Sequence, residues 1–289
     1  MTAPGISDLV KSVSGFAVKR SMPRLYKTTL RNWYNKRTRN KDKDNLTRKV
    51  YLFCDEFSNF NDTEIGIKSI LLLERLGYEV IIPDHDESGR TWLSKGFVRK
   101  AQQIANKNIG LLSPLVTGDT PLIGIEPSAI LTFRDEYIDL ASNEQFDTAR
   151  ELSKNVYLLD EFLAKEIDSG HTTKEQFTKE KKQIKVHGHC QQKALSSVAL
   201  SAKILSFPEN YTATVIPSGC CGMAGSFGYE KEHYDLSMKI GELVLFPAVR
   251  ANDQETLIAA PGTSCRHQIK DGTGRKALHP AEILFDALI

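Results

Sequence analysis

Short apolar runs rich in β-branched residues alternate with longer stretches of helical periodicity from residue 50 to the end of the chain. The alternation predicts the order strand, helix, strand, helix, strand over residues 50–125, and again over residues 184–260. The predicted strands are residues 50–53, 79–83, 122–125, 184–186, 212–216 and 256–260, and the predicted helices are residues 63–76, 93–109, 194–205, 229–245 and 281–288. Strands that alternate with helices form parallel sheets with helices on both faces, so an α/β fold is expected.

The two halves of this pattern carry their chemically distinctive residues at matching spacings. Cys54 and Cys190 each follow the first strand of a half and are 136 residues apart, as are Ala129 and Cys265. The Cys-Cys-Gly run at residues 220–222 has Glu-Ser-Gly as its counterpart in the first half. We therefore expect an internal duplication in which the first copy has lost most of its thiols.

The duplication divides the chain into four predicted segments. They are a basic N-terminal arm or linker at residues 1–49, a degenerate unit lacking most cysteines at residues 50–150, a connecting helical segment at residues 151–183 and a cysteine-bearing unit at residues 184–289.

The net charge of +2 is unevenly distributed along the chain. Twelve Lys and Arg residues against two Asp residues fall between residues 17 and 49, which leaves the rest of the chain acidic. Such a stretch can contact nucleic acid, an anionic membrane surface or an acidic subunit, or act as an Arg-rich targeting peptide. It contains no nucleic-acid-recognition motif, so we interpret it as a solvated linker or docking helix and expect no nucleic-acid partner.

The cysteine count and the hydropathy of the chain bear on its location. Five cysteines form no closely spaced disulfide framework, and no apolar run approaches the ~20 residues that span a bilayer. No secretory signal pattern is present at Met1. A reducing, cytoplasmic location is expected, with peripheral contact to the inner face of the membrane left open.

Four of the five cysteines fall in the last hundred residues, each shortly after a predicted strand: Cys190, Cys220, Cys221 and Cys265. Open α/β sheets bind ligands at the carboxyl ends of their strands, so these loops are expected to bring the four sulfurs together. Thiolates select zinc, Cu(I) or iron–sulfur clusters over hard cations. We interpret the four cysteines as a metal site for a [4Fe–4S] cluster, with zinc as the alternative. Two further hypotheses are that the thiols are buried and inert, or that they form a thiol–disulfide regulator.

Glycines and histidines next to the cysteines are candidates for cofactor contacts. Gly222 and Gly225 belong to a glycine-rich turn whose backbone N–H groups can point at the negative sulfurs of a cluster. His187 and His189 precede Cys190, and a plain structural role is the favoured interpretation for this pair. The alternatives are hydrogen-bond donation to the cluster or, less often, ligation, and His189 is the histidine predicted to contact the cofactor. No residue is expected to act in bond-making catalysis.

Three motifs around these cysteines resemble the cysteine-rich CCG domain. They are VHGHCQQK at residues 186–193, PSGCCGMAG at residues 217–225 and PGTSCRHQI at residues 261–269. Residues 124–128, 134–137 and 279–280 also resemble this family. This domain occurs in the B subunit of heterodisulfide reductase and in the iron–sulfur subunits of glycolate oxidase and anaerobic glycerol-3-phosphate dehydrogenase. It also forms the C-terminal region of FAD-linked D-lactate and D-2-hydroxyglutarate dehydrogenases, to which the fit is best, over residues 50–289.

The resemblance implies a cluster held by Cys190, Cys220, Cys221 and Cys265 in the second unit. The fuller pattern ends in Cys-x-x-Cys, but Gln268 occupies the last position. The resemblance therefore implies an ordinary four-cysteine site rather than a five-thiolate non-cubane cluster. The first unit lacks these thiols and is expected to have a structural or docking role.

The resemblance also implies a role in electron transfer. It predicts a relay from FAD, carried by a partner subunit or a further domain that oxidises a 2-hydroxy acid, toward an acceptor such as a quinone. A ferredoxin-like domain is a further expected partner. On this interpretation the chain is part of an oxidoreductase and oxidises no substrate alone. The alternative is a zinc-stabilised docking scaffold with no redox role.

Overall fold

The computed structural model describes residues 11–37 and 48–289. The other parts of the predicted basic arm, residues 1–10 and 38–47, lie outside the described residues. The strands form two four-stranded sheets in which all strands are parallel, and helices alternate with the strands along the chain. This arrangement confirms the predicted α/β fold. Among the described helices, none combines the length and the apolar content needed to cross a membrane.

The first half of the protein contains the first sheet. Its elements in chain order are α1 (Leu30–Lys36), β1 (Arg48–Phe53), α2 (Glu56–Phe60), α3 (Thr63–Arg75), β2 (Tyr78–Ile81), α4 (Arg90–Ser94), α5 (Val98–Leu112), β3 (Leu122–Gly124), α6 (Pro127–Ile130), α7 (Glu136–Leu140), α8 (Phe146–Ser153), β4 (Val156–Leu158) and α9 (Leu159–Asp168). The strands lie in the order β2-β1-β3-β4.

The second half contains the second sheet. Its elements are β5 (Lys182–Val186), α10 (Cys190–Leu195), α11 (Val198–Leu205), β6 (Tyr211–Val215), α12 (Tyr234–Leu243), α13 (Leu245–Arg250), β7 (Leu257–Ala259), α14 (Thr263–Thr273), β8 (Ala277–Leu278) and α15 (Pro280–Asp286). The strands lie in the order β6-β5-β7-β8, which repeats the order of the first sheet. This repetition supports an internal duplication.

Helix α3 shows why these segments adopt their structure. Its apolar residues Ile65, Ile70, Leu72 and Leu73 recur at helical spacing, and all four are buried. The chain leaves the helix at Gly77, whose φ of +95° is a conformation that residues with a Cβ seldom adopt. The preceding strand β1 is buried along its last four residues, as expected for a strand paired on both sides.

Each sheet has a fourth strand that the sequence pattern did not predict. Strand β4 ends at Leu158 and α9 begins at Leu159, so the apolar residues of the strand merge with the helical pattern, while β8 has only two residues. Strand β4 lies in the segment predicted as a helical connection and pairs with β3. The first sheet therefore extends beyond residue 150.

Several helices also differ from the prediction. The helix predicted at residues 93–109 is two helices, α4 and α5, separated around Gly96, which has a φ of +79°. The one predicted at residues 194–205 is divided between α10 and α11, because the hydroxyl of Ser197 caps a new helix start. The one predicted at residues 229–245 begins at Tyr234, and α14 was not predicted.

One hydrophobic core joins the two halves. It contains Leu52 and Ile70 from the first half together with Val186 and Ile204 from the second. A second core lies within the first half, and a third lies beneath the cysteines of the second half. Because apolar burial is the main favourable contribution to folding, the shared core stabilises the halves as a unit.

Arg20 attaches the N-terminal segment to the second half. Its side chain is fully buried, although the sequence pattern indicated a solvated stretch. Its Nε donates to the carbonyl of Gly228 at 2.6 Å, and its Nη2 donates to Ser237 Oγ at 2.7 Å. The remaining nitrogen, Nη1, forms an ion pair with Asp271 Oδ2 at 3.4 Å. The predicted arm around Arg20 is therefore packed against the segment that follows the cysteine pair, whereas Leu30 and Tyr34 of α1 are buried in the core shared by the two halves.

Candidate metal centre

The four cysteines of the second half follow the carboxyl ends of β5, β6 and β7. Cys190 begins α10, the pair Cys220 and Cys221 lies in the loop after β6, and Cys265 lies in the first turn of α14. These three strands are parallel neighbours in one sheet, so their carboxyl ends lie at the same edge. The topology thus directs three separate loops toward one place.

The side chains at this edge form one contiguous group. The ligand atoms of His187, Cys221 and Cys265 lie within 4.8 Å of one another, and all three residues are buried. Hydrogen bonds between thiols connect Cys220 to Cys190 and to Cys221. His187, Cys221 and Cys265 are therefore close enough together to bind a metal, while Cys220 and Cys190 adjoin this group on its exposed side.

Hydrogen bonds between neighbouring thiols lower the pKa values of two of the four cysteines and raise those of the other two. Hydrogen bonds from Cys190 and then Cys221 hold the pKa of Cys220 far below its usual range, and a hydrogen bond from Cys221 lowers the pKa of Cys265. Hydrogen bonds to these two acceptors, together with burial, raise the pKa values of Cys190 and Cys221. Cys220 and Cys265 are thus disposed to be thiolates, the form in which cysteine binds metals, while Cys190 and Cys221 retain their protons as hydrogen-bond donors.

The turn after the cysteine pair depends on glycine. Gly222 has a φ of +99°, and its backbone N–H donates to Cys220 Sγ at 3.2 Å. A Cβ at this position would lie 2.3 Å from the carbonyl oxygen of Ser237. Gly225, the other glycine expected to contact a cofactor, has a φ of +65° and lines the cavity described below. The turn therefore directs at least one N–H at a cysteine sulfur.

Gln268 stabilises the backbone of the same loop. Its Nε2 donates to the carbonyl of Cys221 at 2.8 Å and to that of Ser237 at 2.9 Å. Gln268 is fully buried on the face of α14 that also carries Cys265. The residue at the position of the expected fifth cysteine thus connects α14 to the cysteine loop.

The two histidines before Cys190 have different surroundings. His189 caps α10, since its Nδ1 accepts from the N–H of Gln191 at 3.2 Å, and its Nε2 lies 3.9 Å from Glu126 Oε1. His187 is fully buried, and its Nδ1 lies 2.7 Å from Ser218 Oγ. The structure brings His187 into the thiol group and places His189 on the wall of the adjoining cavity.

A cavity of about 630 Å³ opens onto the sulfurs. All four thiols line it, with Cys190 and Cys220 exposed and the other two buried. Its other walls include Arg90 and Lys95 from the first half and Phe16 from the N-terminal segment. The first half thus contributes part of the wall of the cavity that the four cysteines line.

The corresponding position in the first half holds a different set of side chains. Ser88 donates to the carboxylate of Glu56 through its hydroxyl at 2.7 Å and through its N–H at 3.0 Å. Ala129, the counterpart of Cys265, is fully buried. Cys54 is buried, and this burial raises its pKa to about 12. At neutral pH it is a thiol in the core, separate from the other four cysteines.

Polar contacts between the halves support the helix that carries Cys265. The carboxylate of Glu126 accepts the backbone N–H of Thr263 at 2.8 Å. Asp62 accepts the hydroxyl of Thr263 and pairs with Arg266, with 2.6 Å between Oδ2 and Nη2. The first half thereby positions the start of α14.

The chain is similar to several curated proteins. It is 28% identical over 247 residues to the D-2-hydroxyglutarate dehydrogenase of Escherichia coli (strain K12), an alignment that covers 83% of this chain and 23% of that protein. It is 25% identical over 272 residues to the C subunit of the anaerobic glycerol-3-phosphate dehydrogenase of the same strain, covering 93% and 66%. It is 26% identical over 250 residues to lactate utilization protein A of Bacillus subtilis (strain 168), covering 82% and 98%. No protein-family model matches the chain.

Two residues that support the candidate site were not predicted to do so. Ser218 has only its position two residues before Cys220 as a signal in the sequence. Gln268 was interpreted as a missing ligand and not as a hydrogen-bond donor. It lies three residues after Cys265, a spacing that places Gln268 and Cys265 on one face of a helix, but α14 was not predicted.

Proposed function

We propose that this chain is an iron–sulfur electron-transfer component of a 2-hydroxy-acid dehydrogenase, with a [4Fe–4S] cluster held by Cys190, Cys220, Cys221 and Cys265. The proposal rests on the convergence of these sulfurs from three loops at the edge of one sheet. When bound, the cluster supplies one-electron transfer. The side chains bind and orient it, and none makes or breaks a bond of a substrate.

The donor set fits a thiolate-ligated cluster. Soft sulfur ligands suit iron–sulfur centres, and the N–H of Gly222 already points at a cysteine sulfur. The buried side of the site, with Cys221 and Cys265, adjoins an apolar core that excludes water. Such hydrogen bonds and burial set the reduction potential of a cluster. Cys190 and Cys220 leave an exposed edge at which electrons can be exchanged.

The relatives support a dehydrogenase setting for this relay. Two of them are a dehydrogenase and a dehydrogenase subunit by name, and the third is a lactate utilization protein. The chain spans only 23% of the D-2-hydroxyglutarate dehydrogenase. We therefore assign FAD and a ferredoxin-like domain to a partner subunit or a further domain. A quinone as acceptor and a cytoplasmic location, peripheral to the membrane, complete the proposal.

A zinc-stabilised docking scaffold is the second candidate. Four thiolates also suit tetrahedral zinc, and the close packing of the first half against the site is what a docking role requires. In that case chelation of zinc unfolds the second half without affecting any electron transfer.

Metal analysis of anaerobically purified protein separates the two candidates. The cluster predicts brown protein with about four iron and four sulfide ions per chain. Cys221→Ser should lose most of the iron and the colour, because it removes a central ligand. Cys54→Ser is the matched control, since Cys54 is equally buried but lies outside the site, and it should keep both. Colourless protein with one zinc per chain would contradict the relay and support the scaffold.

A further inference from the structure

His187 has the properties of a metal ligand rather than of a core histidine. Its side chain is fully buried, and its ligand atom lies within 4.8 Å of the sulfurs of both Cys221 and Cys265. Within residues 11–37 and 48–289, its Nε2 makes no hydrogen bond of good geometry, although the contact of His187 with Cys265 helps to lower the pKa of that thiol. A buried imidazole nitrogen that has only sulfurs beside it is poorly satisfied by hydrogen bonding, which favours a metal ion bound between them.

The hydrogen bond on the other ring nitrogen points in the same direction. His187 Nδ1 lies 2.7 Å from Ser218 Oγ, and that hydroxyl lies 3.5 Å from the carbonyl of Ile216. With the hydroxyl donating to the carbonyl, its oxygen accepts Nδ1–H, which leaves a lone pair on Nε2. Metal-bound histidines hold their second N–H in this way, and the partner fixes both tautomer and ring orientation.

The other histidines near the site do not share this arrangement. His189 uses Nδ1 to cap a helix, and its Nε2 faces Glu126. His267 pairs its Nδ1 with the hydroxyl of Tyr229 at 2.7 Å. His187 alone of the three joins Cys221 and Cys265 in the group whose ligand atoms converge.

We propose that His187 coordinates the metal centre through Nε2, beside the buried thiolates of Cys221 and Cys265. This inference rests on the proposed function only in requiring a metal at the site. A neutral imidazole in place of a thiolate raises the potential of an iron–sulfur centre, so this ligand would make the relay a better electron acceptor. With five donors present, one of the exposed thiols is then not required as a ligand.

Pulsed EPR on the reduced, metal-loaded protein tests the assignment. Protein grown with ¹⁴N- or ¹⁵N-histidine should show a strongly coupled histidine nitrogen that changes with the isotope. The coupling should disappear in His187→Gln and persist in His267→Gln, which alters a half-buried histidine next to the site. No such coupling in the wild-type protein, or its persistence in His187→Gln, would overturn the assignment even if the cluster itself is present.

Two further experiments test the assignment if the protein binds zinc or if His187→Gln does not fold. If the protein binds zinc instead of a cluster, the proposed function fails, and the same isotope experiment on Co²⁺-substituted protein decides the nitrogen ligand separately. If His187→Gln does not fold, Ser218→Ala provides the test. Loss of the group that orients the ring should weaken metal binding by about 10–100-fold while the nitrogen coupling remains. Unchanged affinity in Ser218→Ala would contradict the inferred orientation of the ring.

Discussion

Two glycines on either side of the cysteine pair show how the site is constrained at the scale of single residues. Gly222 has a φ of +99°, and a Cβ there would overlap the Ser237 carbonyl and approach Gln268. Gly219, on the other side of the pair, has no atom within 4 Å of a Cβ built on its backbone. The chain therefore offers a constrained and an unconstrained glycine within one loop.

Gly222→Ala should disrupt the cysteine loop. Backbone strain alone at such a position costs about 1–3 kcal/mol, and the contact with Ser237 adds to it. We expect a lower free energy of unfolding and a lower metal content, measured by urea denaturation and metal analysis. Gly219→Ala should leave both quantities unchanged. Equal metal retention by the two variants would show that the positive φ is not needed for binding.

At the scale of elements, the start of α2 carries a buried carboxyl group. Asp55 Oδ1 accepts the N–H groups of Phe57 and Ser58 at 2.9 and 2.8 Å, and its Oδ2 accepts the Ser58 hydroxyl at 2.9 Å. Burial, and then the charge of Glu56, raises the pKa of Asp55 to about 8. The fold therefore favours the protonated carboxyl.

This pKa predicts a pH dependence of stability. Between the unfolded pKa of about 3.9 and the folded pKa of about 8, the native state binds more protons at Asp55 than the unfolded chain does. Its contribution to the free energy of unfolding should therefore fall as pH rises through this range, by at most about 1.4 kcal/mol per pH unit.

Asp55→Asn isolates this contribution, because asparagine keeps the capping oxygen and does not titrate. Urea unfolding of both proteins from pH 5 to pH 8 should show a steeper decline in the wild type, because Asp160, whose pKa burial raises to about 6, titrates in both. Parallel curves for the two proteins would mean that Asp55 is ionised in the fold.

Much of the fold and the outline of the site could be predicted because they depend on local patterns. Apolar periodicity marks the longer strands and helices, and cysteines that follow parallel strands necessarily lie at one edge of the sheet. Strand β4 escaped prediction because it runs directly into α9, and β8 because it has only two residues. Helix α14 was missed because much of its buried face is polar: Cys265, Arg266 and Gln268 satisfy partners elsewhere in the chain.

Long-range contacts explain the remaining errors. Counting charge treats each basic residue as solvated, yet Arg20 is buried by partners more than 200 residues away. Likewise, His187 and His189 look equivalent in a linear pattern, and only their tertiary surroundings distinguish them. Burial of a polar side chain is decided by atoms that are remote in sequence.

At the scale of the whole molecule, the ion pair between Asp62 and Arg266 connects the first half to the helix that carries Cys265. The side chains are 16% and 9% exposed, so solvent screens the pair little. Asp62→Ala should therefore lower the free energy of unfolding by at least about 2 kcal/mol, because it leaves a nearly buried guanidinium without its carboxylate. Metal content should fall as well, since α14 loses a contact at its start.

Asp168→Ala is the matched control for this change. Asp168 pairs with Lys203 across the same two halves, but these side chains are 64% and 39% exposed. Its loss should cost less than about 1 kcal/mol and leave metal content intact. Urea unfolding and metal analysis of both variants provide the comparison. A similarly small effect of the two substitutions would mean that the Asp62 contact does not hold α14 in place.

The hydrophobic core shared by the two sheets has a consequence for the ancestry of this chain. Helix α15 of the second copy packs on α3 of the first, and residues of both copies fill the same interior. Deleting the gene segment for the first copy, which lacks the four cysteines of the site, would expose the apolar surface of the second copy to water. Natural selection could thus erase the ligands of one duplicate while it was obliged to preserve the duplicate itself.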